Sequence, residues 1–242
     1  MQTINVNDRR VSIADFQQMH DLRVSGSLDL RDCTALTTLP KGLRVGESLD
    51  LSGCTALTAL PDGLHVGNWL NLSGCTALTT LPKDLSVGNW LNLSGCTALT
   101  TVSGLTVGGS LSLRDCTALT TLPDGLHVGG WLNLSGCTAL TTLPDGLRIG
   151  EWLNLSGCTA LTALPDDLRV GGSLWLSCCT ALRNVFRAGA DARGYEFYGA
   201  QLTNGWRILA GCRNFSPAEA REHWAEGTEC RMLAERVIAA GG

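Results

Sequence analysis

The sequence predicts a solenoid of eight short coils with a parallel sheet along one side. A helical cap precedes it and a small α+β unit follows. Three observations predict this. Eight cysteines, Cys33, Cys54, Cys75, Cys96, Cys116, Cys137, Cys158 and Cys179, are separated by 21, 21, 21, 20, 21, 21 and 21 residues, and a fixed period near 20 marks stacked copies of one supersecondary unit. Each copy carries a Leu-x-Leu triplet, the alternation of a strand with one buried face. Glycine, 29 of 242 residues, brackets that triplet where the backbone must turn.

Residues 1–20 are expected to form the N-terminal cap. Ser12, followed by Ile13, Phe16 and Met19, reads as the N-cap of a short helix with Asp15 at its third position. Phe16 and Met19 would cover the first coil, whose apolar edge would otherwise meet water. The segment Met1 to Arg10 is polar and lacks the apolar core of a signal peptide.

The solenoid is expected over residues 21–185. In the coil from Gly63 to Asp84, Leu70 and Leu72 alternate with Asn71, and Leu78, Leu81, Leu85 and Val87 supply further inward side chains. Pro82 sets a corner and supplies no strand N–H. The single 20-residue step falls where Val102-Ser103 replaces the Leu-Pro-Asp/Lys of other coils. One coil has too few apolar side chains for a core, and eight stacked coils share one. At about 4.8 Å per strand, seven steps extend roughly 34 Å.

The pattern LxLxxCxxLxxLPxxLxV resembles a leucine-rich repeat of the short bacterial type, similar to the LP-containing repeats of effectors that bacteria inject into host cells. The resemblance covers roughly two thirds of the chain. It implies a right-handed α/β-type leucine-rich-repeat solenoid with a concave parallel sheet, a scaffold used to bind proteins. Ubiquitin-ligating relatives place a large helical domain with a catalytic cysteine after the repeats, and the tail here is too short for it.

The eight cysteines read as a structural ladder of free thiols. Each packs as a small hydrophobe, and parallel side chains on successive coils do not meet as disulfides require. No Cys-x-x-Cys pair exists, so no metal is expected. Cys178 replaces a repeat glycine, and Cys212, His223 and Cys230 match no zinc spacing.

Residues 186–242 break the repeat. They balance seven Arg (187, 193, 207, 213, 221, 231, 236) against seven acids. Tyr195 to Leu202 reads as a strand, Asn204-Gly205 as a hairpin turn and Trp206 to Gly211 as the return strand. Ser216-Pro217-Ala218-Glu219 reads as a helix start, and a second helix is expected from about Thr228 to Ala240. This gives a ββαα cap or docking unit. The run from Ala210 to Trp224 resembles a small domain of uncharacterised bacterial and phage proteins.

The internal copies locate the candidate site. The residue before the first strand Leu runs Ser27, Ser48, Trp69, Trp90, Ser110, Trp131, Trp152, Ser173, and the residue between the two Leu runs Asp29, Asp50, Asn71, Asn92, Ser112, Asn133, Asn154, Trp175. Both columns point away from the core if the Leu pair points in. Trp69, Trp90, Trp131, Trp152 and Trp175 with Asn71, Asn92, Asn133 and Asn154 are therefore the candidate partner-binding residues. Exposed tryptophans mark interfaces, although the same rings can also stack along the sheet and only shield it. A third column, Arg23, Arg44, His65, Ser86, Thr106, His127, Arg148, Arg169, forms a polar stripe too thin for nucleic acid.

The function expected is protein binding through the concave Trp/Asn face, with a glycan the lesser alternative and a docking or enzymatic C-terminal unit the rival. A net charge of −4 speaks against nucleic acid, and no apolar run approaches a membrane span. No nucleophile elbow, P-loop, dinucleotide fingerprint or zinc-protease motif is present, so neither catalysis nor a cofactor is expected. The chain is expected in a cytosol, or in a host cell after export without a cleavable signal.

Overall fold

A computed structural model describes residues 3–241 apart from 8, 166, 184, 195, 203, 204, 211 and 212. It is a solenoid of stacked parallel strands. Leu28–Asp29, Leu49–Asp50, Leu70–Asn71, Leu91–Asn92, Leu111–Ser112, Leu132–Asn133, Leu153–Asn154 and Leu174–Trp175 form one eight-stranded sheet. Pairing is strictly coil to coil, with Leu70 opposite Leu91 and Leu132 opposite Leu153. The resemblance implies an α/β-type coil, and here the observed structure differs. Among the described residues no helix lies within a coil, and each coil instead carries a second two-residue strand. These strands, from Arg23–Val24 to Arg169–Val170, make a second parallel sheet of eight.

The missing helices have a steric cause. After the cysteine six of the eight coils run Thr-Ala-Leu-Thr-Thr/Ala-Leu-Pro, where Pro82 and its equivalents break helical pairing. Between the two strands of a coil lies a glycine column that sets the spacing. A Cβ placed on Gly67 would lie 2.0 Å from the carbonyl oxygen of Gly46, and one on Gly88 equally close to that of Gly67. Only glycine allows the coils to approach there.

The core is continuous along the stack. Leu70, Leu72, Leu78, Leu81, Leu85 and Val87 are all buried, as are their equivalents in most other coils. Cys33 through Cys158 are buried and free, and Cys179 is half-buried. Each thiol from Cys54 onward donates to the carbonyl of a strand leucine in the preceding coil: Cys54 to Leu30 (3.1 Å), Cys96 to Leu72 (3.2 Å), Cys137 to Leu113 (3.0 Å). The ladder therefore joins coils by hydrogen bonds as well as by packing. Burial pushes the Cys54, Cys96 and Cys137 thiols up to about 12.

At the N-terminus Ser12 stands at the N-cap of the helix Ile13–Gln17, its Oγ accepting from the Asp15 N–H at 3.1 Å. Phe16 is buried in the solenoid core. An antiparallel hairpin, Thr3–Val6 with Arg9–Ser12, precedes the helix and was not foreseen. Its Ile4 and Val6 are buried.

The C-terminal segment differs from the expected ββαα order. It holds four antiparallel strands, Val185–Ala190, Glu196–Leu202, Gly205–Ala210 and Arg213–Phe215, then helices Pro217–His223 and Glu229–Gly241. The first strand is interrupted by a register shift between Arg187 and Gly189, and the last has only three residues, which hid their alternation. Asn204 of the expected turn and Cys212 lie outside the described residues. Ser216 forms a full capping box with Glu219 behind Pro217. Tyr198, Ala200 and Leu209 join the solenoid core, while Phe197, Ile208 and Phe215 pack under the helices.

Candidate binding face

The site is built on the first sheet. Because Leu70 and Leu72 point inward, residues 69 and 71 must point outward, and this parity repeats in every coil. Trp69, Trp90, Trp131 and Trp152 are half-buried at the sheet surface. Trp175, on the last strand, is 41% exposed.

The rings form a ladder. Trp131 and Trp152 stack with centroids 4.7 Å apart and planes 1° from parallel. Trp152 meets Trp175 at 5.1 Å, although the two occupy different columns. Ser173 stands where the next indole of the column would be, and Trp175 reaches the vacant space from two residues further along the same face. Trp90 lies 6.3 Å from Trp131, bridging the intervening coil, which carries Ser110. Among the described residues no ring contact joins Trp69 to Trp90. The structure thus brings together four of the five candidate tryptophans. Trp90 Nε1 is buried and without a hydrogen-bond partner.

The asparagine column has a role that sequence reasoning missed. The Oδ1 atoms of Asn71, Asn92, Asn133 and Asn154 accept from the N–H two residues on, at Ser73 (3.1 Å), Ser94 (3.0 Å), Ser135 (3.0 Å) and Ser156 (2.9 Å). Asp29 and Asp50 do the same for Arg31 and Ser52. Six of the eight positions in this column, all but Ser112 and Trp175, are Asp or Asn, the short side-chain acceptors that this turn uses. The signal was present in the sequence, since Asp and Asn share that acceptor and little else. What the asparagines can offer a partner is their amide N–H, and Asn92 already gives one to Asn71 Oδ1 at 3.1 Å.

Elsewhere the residues singled out in the tail have local partners. His223 stacks on Phe215 at 4.9 Å and meets Trp224 edge-on. Cys230 donates to Asp191 Oδ2 at 3.5 Å, and Arg193 holds the same carboxylate at 2.7 Å. Burial and the Asp191 charge push the Cys230 thiol up, away from nucleophilic character. Among the described residues no group of His, Cys, Asp or Glu is placed to hold a metal, and no helix is long and apolar enough to cross a membrane. No protein family, curated protein or solved structure matches this chain.

Proposed function

We propose that this chain is a protein-binding module whose partner docks on the tryptophan ladder. The observation that carries the reading is the run Trp90–Trp131–Trp152–Trp175, a contiguous aromatic strip that ends in a 41% exposed indole. Partly exposed indoles side by side offer a partner apolar area with little rotamer entropy to lose.

The similarity of the repeats to those of injected effectors suggests a bacterial effector or adaptor, acting in a cytosol or in a host cell after export. No catalytic step is assigned to it. The test is affinity capture from bacterial and eukaryotic lysates by the wild type and by a variant with Trp69, Trp90, Trp131 and Trp152 changed to Ser, with circular dichroism to check folding. Partners lost by the folded variant support the ladder. A partner set unchanged by the four substitutions overturns it.

A further inference from the structure

We propose that the N-terminal end of the second sheet is a binding site for a phosphate group, built by Arg23, Arg44 and His65 with Asn7 and Ser25. It lies on the other sheet from the tryptophan ladder and does not depend on it. Arg23 pairs with Arg44, and Arg44 with His65, in parallel register. Successive strands lie about 4.8 Å apart, so the three basic side chains start as direct neighbours on one face. All three are exposed.

Like charges directly opposite one another across strands destabilise a sheet. Among the described residues no carboxylate pairs with them. Arg31, Arg114, Arg193, Arg221 and Arg231 each sit on a carboxylate. Among the described residues the side chains of Arg23, Arg44 and His65 have neither an ion pair nor a hydrogen bond. Glu47, the acid three residues beyond Arg44, accepts from Ser27 Oγ at 3.0 Å on the neighbouring coil.

The surface there is a groove of about 640 Å³. Arg23, Arg44, His65, Asn7 and Ser25 line it, with the buried Val24 and Val45 beneath. Asn7 closes one side, because its Nδ2 donates to Arg23 O at 2.9 Å and holds the N-terminal hairpin against the ladder end. The second amide hydrogen of Asn7 and the Ser25 hydroxyl remain as donors. Two adjacent guanidinium forks, an imidazole, an amide and a hydroxyl suit a tetrahedral dianion that accepts from several directions. A groove three strands wide matches one phosphate group better than an extended acidic chain. The same chemistry comes from a phosphorylated side chain or from a small phosphate ester.

The experiment is thermal melting of the full chain, wild type and Arg44→Gln, in rising inorganic phosphate at constant ionic strength held with chloride. Without phosphate, Arg44→Gln is expected to melt about 1–3 °C above wild type, because a like-charge contact is gone. With phosphate, the wild-type midpoint climbs and saturates, while that of the variant stays flat. No response in the wild type, or an equal response in both proteins, overturns the proposal. Titration with O-phosphoserine and with a phosphoserine peptide then separates the sources. Peptide binding at least tenfold tighter than inorganic phosphate assigns a phosphorylated protein, and equal binding of all three assigns a small ester.

Discussion

Cys178 occupies the position that glycine holds in most coils, with φ at +61°, and it is exposed. A side chain in the left-handed region costs roughly 1–2 kcal/mol. Asp32 and Asp115 stand at the same place with φ of +55° and +56°, where a short polar side chain is better tolerated. Replacing Cys178 with Gly should therefore raise stability by about 1 kcal/mol, read by chemical denaturation. The same residue should be the solenoid thiol that reacts first with a disulfide reagent, while Cys54 to Cys158 react only on the timescale of unfolding. Gly67→Ala sits at the opposite extreme. Its Cβ would meet a backbone oxygen at 2.0 Å, and no side chain can move to relieve that contact. Loss of several kcal/mol is expected, visible as a large fall in the melting midpoint.

At the scale of the element, the thiol ladder and the indole ladder behave differently. The thiols are held protonated chiefly by burial. A folded-state pKa raised above the unfolded value gives stability that is present at neutral pH and lost as pH climbs from about 9 toward about 12. Unfolding monitored against pH should show a decline across this alkaline window, and Cys96→Ala should make it shallower. Trp131 makes two ring contacts, each worth about 0.5–1.5 kcal/mol beyond area burial. Trp131→Ser should therefore cost on the order of 1–3 kcal/mol while leaving the strands paired.

The same scale shows what was legible in the sequence. Leu-x-Leu and the cysteine period give the first sheet and its core, because packing repeats the constraint in every coil. The helix starts at Ser12 and Ser216 were legible from capping chemistry alone. The N-terminal hairpin was not, since only Ile4 and Val6 carry its inward face. The second sheet escaped because one inward valine per coil shows no alternation. The tryptophan columns were visible, but the contact of Trp152 with Trp175 depends on Ser173 leaving room, a fact of three-dimensional neighbours.

At the scale of the whole molecule, the stack is close to one-dimensional. Each coil touches its two neighbours, so stability is nearly a sum over coils and interfaces. Excising residues 64–84 removes one coil with Trp69 and rejoins equivalent backbone positions. The shortened chain should stay folded, melt somewhat lower, and retain the strip from Trp90 to Trp175. It should also keep any partner that the strip binds. Binding that disappears with this excision would move the site toward the N-terminal coils.

The strip itself is tested most directly by hydroxyl-radical footprinting of the captured complex against the free chain, read by mass spectrometry. The account predicts that oxidation of Trp90, Trp131, Trp152 and Trp175 falls together on binding. Met232, 58% exposed on the last helix, should keep its free-state rate. Unchanged oxidation of the four indoles with protection at Met232 would place the partner on the C-terminal helices and contradict the account.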